Sequence, residues 1–236
     1  KILPALCLAL ASACVLADEP SPTTAAETAL EGDQQRLLLE QGMSLLKARR
    51  PAEAIELFDA VIKHYEGNAR NYPKTYSSRT QAETLAYLLM AAEEKVNAVS
   101  MGAHLGYAYF LKSYALTELN QAAAAESALK KALELSPHNA HFLSERGTQL
   151  AKVRAWDAAL ATFRSAEAAA KGFSPEALRT DELGRALRGQ GYVLVELDRL
   201  PEAERIYQEC LALNRDDRIA TAELAYVRER MAKAGK

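Results

Sequence analysis

The sequence predicts an all-α protein of stacked helix pairs, and three observations carry that prediction. Aromatic residues are only 7% of the chain while hydrophobic residues reach 49% with recurrent alanine runs. Alanine has the best helix propensity, whereas sheets lean on β-branched and aromatic residues. Glycine and proline number 11 and 8 in 236 residues, too few for a collagen-like or low-complexity chain. Third, a set of small and large residues recurs with a basic period of 34. Charged residues are 25% of the chain, an ordinary globular value, so disorder over most of its length is not expected. Lys plus Arg is 29 against 31 for Asp plus Glu, a net charge of −2. A nucleic-acid-binding domain would be visibly basic, so that partner class is not expected.

Residues 1–17 read as an address. Lys1 precedes an uncharged, mostly apolar run from Ile2 to Leu16, shorter than the roughly 20 residues that span a bilayer. It fits the apolar region of a secretory signal, with Val15-Leu16-Ala17 as the cleavage site. The mature chain would start at Asp18 in a bacterial periplasm or outside the cell. Leu10-Ala11-Ser12-Ala13-Cys14 offers a second route, in which Cys14 is lipidated and anchors the protein to a membrane. Cys7 and Cys14 lie in this segment, so Cys210 is the one cysteine of the mature part and an internal disulfide is not expected. Residues 18–34, with Glu-Pro-Ser-Pro-Thr-Thr, read as a flexible tether.

The repeats begin at Gln35. In the segment 106–139, places 4, 8, 11, 20, 24 and 27 hold Tyr109, Ser113, Leu116, Ala125, Leu129 and Ala132. A shift of 34 gives Leu143, Gly147, Leu150, Ala159, Phe163 and Ala166. A further shift of 44 gives Leu187, Gly191, Leu194, Ala203, Tyr207 and Cys210, and the segment from Gln35 gives Leu38, Gly42, Leu45, Ala54, Phe58 and Val61. Places 4, 8 and 11 share one stripe of a helix. Glycine or serine at place 8 and alanine at place 20 let two backbones approach, and the large residue at place 24 fills the groove. Pro137 ends a helix.

This pattern resembles the tetratricopeptide repeat, a helix–turn–helix unit of 34 residues. The resemblance runs from Gln35 to the end and implies a right-handed superhelix, an α-solenoid. It divides the chain into units at 35–68, 106–139, 140–173 and 174–217. The last has an extended first helix announced by Ser174-Pro175-Glu176. Residues 218–236 form a closing helix. Between the first two clear units, residues 69–105 leave room for a degenerate unit. There, Asn71–Ser78 reads as a Tyr-rich loop and Thr80–Val99 as one long helix with Leu85, Leu88, Leu89, Ala92, Val96 and Val99 on one side.

Catalytic chemistry is not expected. His138 and His141 have the spacing of a metal pair, but no Cys or third His stands nearby, so a structural role is expected and no metal or other cofactor. Cys210 at place 27 reads as a packing residue. Gly184, Gly189 and Gly191 follow no strand and form no phosphate loop.

The candidate site is a surface. Places 2, 5, 9 and 12 lie on another face of each first helix, which by the resemblance lines a concave peptide-binding groove. These places hold Tyr107, Phe110, Tyr114 and Thr117 in one unit, His141, Ser144, Thr148 and Ala151 in the next, and Arg185, Arg188, Tyr192 and Val195 in the last. The first unit places Arg36, Leu39, Met43 and Leu46 there. Tyr and Arg give large contacts with a polar handle. The expected sites are therefore Tyr107, Phe110, Tyr114, His141, Thr148, Arg185, Arg188 and Tyr192, with packing against the neighbouring repeat as the alternative for apolar members such as Phe110 and Met43. The expected partner is another protein or peptide. Self-association through the stack is open, and membrane contact follows only if Cys14 is lipidated.

Overall fold

The computed structural model describes residues 22–234, with side chains from Asp33 to Lys233. The predicted signal segment, including Cys7 and Cys14, lies outside the described residues. The chain divides into units of residues 1–34 and 35–236. Helix α1 spans Pro22–Lys47, so residues 22–34 of the expected tether are helical. Pro22 suits the first helical position, and Ala25, Ala26, Glu27, Ala29 and Leu30 are good helix formers. No helix of the described residues is long and apolar enough to cross a membrane.

From Gln35 onward the chain is an α-solenoid. Its helices are the end of α1, α2 (Pro51–Ala69), α4 (His104–Glu118), α5 (Ala122–Leu135), α6 (Ala140–Lys152), α7 (Trp156–Phe173), α8 (Glu176–Glu196), α9 (Leu200–Leu213) and α10 (Arg218–Ala234). The pairs α4–α5, α6–α7 and α8–α9 pack side by side, and α10 covers α9. Each pair is closed by an interlock that follows from its sequence. A Cβ on Gly42 would stand 2.3 Å from Phe58, one on Gly147 2.9 Å from Phe163, and one on Gly191 2.5 Å from Tyr207. The ring at place 24 therefore rests on the bare backbone at place 8. In the unit that has Ser113 at place 8, place 24 carries Leu129, a narrower side chain. Phe163 is clamped twice, because a Cβ on Gly189 of the next unit would stand 2.2 Å from it.

The turn inside each pair is also constant. Arg49, Asn120, Arg154 and Asp198, all at place 15, have φ of 61°, 58°, 58° and 57°. In each unit the following N–H reaches back to the place-11 carbonyl: Arg50 to Leu45 at 2.9 Å, Gln121 to Leu116 at 2.9 Å, Ala155 to Leu150 at 3.0 Å and Arg199 to Leu194 at 2.9 Å. This is the Schellman closure of a helix end, here made without glycine.

Residues 70–103 depart from the expectation. They form no long helix but a strand–helix–strand insertion: β1 (Lys74–Ser78), α3 (Gln81–Glu93) and β2 (Ala98–Gly102). The strands pair in parallel, with Lys74 opposite Ala98 and Ser78 opposite Gly102. Thr80 starts α3 by accepting the Glu83 N–H at 3.1 Å. The helix stops at Glu93 because Lys95 turns left-handed at φ 57°, and the Val96 N–H closes on the Ala91 carbonyl at 2.9 Å. Val96 and Val99 then fall beyond the helix end, and β-branched Val99 lies within β2. The inward face also differs from the expected one. Glu83, Tyr87 and Ala91 are buried, while Leu85, Leu88 and Leu89 are exposed.

The insertion is not a layer of the stack. Helix α2 packs directly on α4, where Phe58 and Val61 share a core with Leu105, Ala108 and Ala115. The Lys112 ammonium meets Asp59 at 2.5 Å across that joint. The solenoid thus passes from its first pair to its second as if residues 70–103 were absent.

Candidate protein-binding groove

The twelve first-helix positions from Tyr107 to Val195 and their four counterparts on α1 separate into two rows. Six of the eight residues at places 5 and 12 turn into the joints between units: Leu39, Leu46, Phe110, Ser144, Ala151 and Val195 are buried, whereas Arg188 is half-buried and Thr117 exposed. Places 2 and 9 lie 60° away on the helical wheel and stay accessible. Met43 and Tyr114 at place 9 are 38% and 51% exposed, and Tyr192 at the same place is 46% exposed. Thr148 completes this row half-buried, its hydroxyl donating to the Ser144 carbonyl at 3.0 Å.

Two expected contact residues are therefore packing residues. Phe110 stacks on Phe142 with centroids 4.7 Å apart and meets His141 edge-on at 4.8 Å, filling the joint between α4 and α6. Arg188 turns to Asp217, which also accepts the Ala220 N–H at 3.0 Å and caps α10. Although burial opposes it, the Ala220 N–H and the Arg188 guanidinium hold the Asp217 carboxyl below its ordinary range. Arg188 ties the closing helix to the last pair.

In the place-2 row, Tyr107 and His141 lie near Arg79 of the insertion, whereas Arg185 is exposed. Arg79, between β1 and α3, donates to Glu182 of α8 at 2.6 Å and to Glu83 at 2.8 and 2.9 Å. Its side chain is 5% exposed, and those of Glu83 and Glu182 are 0% and 6% exposed. Burial disfavours the Arg79 charge, but Glu83 and Glu182 outweigh that and hold it firmly protonated. The Ser174 hydroxyl donates to the second Glu182 oxygen. His141 feels Arg79, Glu182 and Arg185, and its pKa is pushed down to about 4, first by burial and then by Arg185. The imidazole is neutral at pH 7. Tyr107, half-buried, packs edge-on to Phe142 at 5.2 Å. The insertion therefore restricts access to Tyr107 and His141, both half-buried, while Arg185 and the place-9 side stay open.

The two histidines three residues apart point to different neighbours. His138 is stacked between Tyr87 at 5.6 Å and Phe173 at 4.4 Å, whereas His141 lies on Phe110. No group of three His, Cys, Asp or Glu side chains suited to a metal occurs among the described residues. Burial pushes the Cys210 thiol up to about 12, so it is protonated at pH 7. Sequence reasoning missed Arg79, Glu83 and Glu182. The spacing Thr80-Gln-Ala-Glu83 is a helix-start signal that could have placed the first two at a helix N-terminus. Nothing local could have paired Arg79 with Glu182, 103 residues away.

The tetratricopeptide-repeat family model matches residues 106–139, the second helix pair of the stack. Among solved structures, pilF of Pseudomonas aeruginosa superposes with a TM-score of 0.60 at 14% identity, covering 86% of this chain and 71% of that one. The MamA RS-1 ArsTM double mutant superposes with a TM-score of 0.53 at 16% identity, covering 85% and 86%. At these identities the likeness is one of fold. No curated protein sequence matches the chain. The matched pair shares its pattern with the other three pairs, so the fold is a solenoid of tetratricopeptide-like helix pairs.

Proposed function

We propose that the protein is a non-catalytic scaffold that receives a partner protein or peptide along the place-9 row, within a bacterial cell envelope. One observation carries this reading. Tyr114 and Tyr192 are held exposed at the same place of two units, while the residues on either side of them in sequence, Ser113, Ala115, Gly191 and Val193, are buried. Large, stiff side chains with a polar tip give contact area at low entropic cost. Tyr192 is braced edge-on by Trp156 at 6.2 Å, which makes it a preformed contact. Thr148 between them, and Met43 beyond, continue the row. Changing Tyr114 and Tyr192 together to Ala should abolish co-purification of the partner while the circular dichroism spectrum stays unchanged. Undiminished co-purification would sink the reading.

The envelope location rests on the apolar run Ile2–Leu16 and the Val15-Leu16-Ala17 site. A mature N-terminus at Asp18 would support soluble export. Cys14 after Ala11-Ser12-Ala13 favours a second reading, a lipid-anchored assembly factor of an outer-membrane or pilus machine. Acyl labelling present in the native chain and lost in Cys14→Ser separates the two.

A further inference from the structure

The insertion carries a small core of its own. Tyr76 stacks on Tyr87 at 5.1 Å, and Ala91, Ala86, Met90 and Ala98 complete the cluster, all within residues 74–102. None of these residues shares an apolar cluster with the repeats among the described residues. What joins the insertion to the stack is polar or aromatic. Ser136 at the end of α5 donates to the Ser77 carbonyl at 2.6 Å, and the Gly106 N–H of α4 donates to the Ser77 hydroxyl at 3.0 Å. The His138 N–H donates to the Tyr87 hydroxyl at 3.2 Å, and the Thr80 hydroxyl to the Phe173 carbonyl at 3.4 Å. Arg79 reaches Glu182, and His138 lies between Tyr87 and Phe173.

A joint of this kind differs physically from a core. Buried ion pairs and hydrogen bonds exchange partners in water for partners in protein, so they fix position with little net gain in stability. Polar interfaces between parts of one chain are the ones that move. The stack does not depend on the insertion for continuity, because α2 packs on α4 directly. Both ends of the insertion enter at that joint, beside Ala69 and His104, so it can swing away without unravelling a helix pair.

We propose that residues 74–102 are a detachable plug that lifts off as a unit while the repeat stack stays folded, uncovering Tyr107 and His141 beside the exposed Arg185 and widening the groove. Arg79 is its bolt: a buried cation seated on Glu182 of the repeat stack. In the docked state a partner reaches the place-9 row and Arg185; in the open state it also reaches Tyr107 and His141.

The test uses the full chain without a partner. Hydrogen exchange followed by mass spectrometry should show the amides of β1, α3 and β2 opening about 100-fold faster than the central amides of α6, α7 and α9. Glu182→Gln keeps the side chain's shape and removes the charge under Arg79. It should speed exchange in residues 74–102 by about tenfold further and leave α6, α7 and α9 unchanged. Ser136→Ala, which removes a donor from the repeat side alone, should act in the same direction. Modification of His141 by diethyl pyrocarbonate should accelerate in the same ratio. One shared exchange rate for insertion and repeats, moved together by both variants, would overturn the plug. Fast exchange of the insertion with His141 still modified at its wild-type rate would overturn the uncovering of Tyr107 and His141. That uncovering matters for binding only if the groove reading above holds. Both readouts are taken on the free protein, so they succeed or fail separately from it.

Discussion

In the repeats, Phe58, Phe163 and Tyr207 rest on glycine backbone; in the insertion, Tyr76 rests on Tyr87, and Tyr87 on His138. The first arrangement is steric. A ring fills a space that only a missing Cβ leaves, and neither partner tolerates change. The second is a stack of flat faces held in place by hydrogen bonds and one buried guanidinium. The two regions teach how one chain can carry a rigid frame and a looser attachment. The frame is set by shape and the attachment by polarity.

The largest expected effect breaks the frame at its double clamp. Phe163→Ala removes the ring held between Gly147 and Gly189, and should destabilise the protein by about 4 kcal/mol in urea titration. Hydrogen exchange of residues 74–102 along the same titration should shift less than that of the helices.

The next effect falls on the seam between the two regions. His141 is neutral in the folded state with its pKa near 4, against an ordinary value of 6.5. The unfolded chain therefore binds a proton between these values that the folded chain refuses. Stability from this group is complete above pH 6.5, falls as the pH drops from 6.5 to 4, and changes no further below that. The full loss is about 3 kcal/mol. His104 and His138, held below their ordinary values by burial, act in the same sense. Urea midpoints measured from pH 7.5 to pH 4.5 should decline, and His141→Gln should flatten the decline.

A smaller change probes a single interlock. Gly191→Ala gains helix propensity but drives a methyl into Tyr207, for a net loss of about 2 kcal/mol. Pairing it with Tyr207→Leu copies the Ser113–Leu129 arrangement of the second pair in size. The double variant should lose less than the sum of the singles in thermal melts. The smallest effect is a gain. Arg154 sits at φ 58° without glycine's freedom, so Arg154→Gly should stabilise by up to about 1 kcal/mol. The same change at Asp198 should gain less, because Asp tolerates this region better.

The frame was legible in the sequence because its rules are local and repeated. Gly42, Gly147 and Gly191 stand 16 residues before Phe58, Phe163 and Tyr207, and four copies of the pattern reveal the period. The insertion occurs once. Its strands are five residues each, Lys74–Ser78 and Ala98–Gly102, and their pairing spans the length of α3. Leu85, Leu88 and Leu89 suggested an inward face, yet the structure spends its inward face on Glu83, which is buried because Arg79 is there. A buried carboxylate cannot be read from periodicity. The groove was half legible. Helical geometry selected the right helices, but places 2 and 9 differ from places 5 and 12 by only 60°. Which of the two faces water depends on how the next unit leans, as Phe110 and Arg188 show.

Two exposed apolar surfaces compete for the role of binding site: Tyr114 on the repeat frame, 51% exposed, and Leu85 on the insertion, 62% exposed. The most direct measurement places a photoreactive residue at each position in turn and identifies the crosslinked products in cells by mass spectrometry. A single dominant partner captured from position 114, lost when Tyr192 is changed to Ala and absent from position 85, is the result the groove reading predicts. Capture from position 85 with nothing specific from position 114 would contradict it.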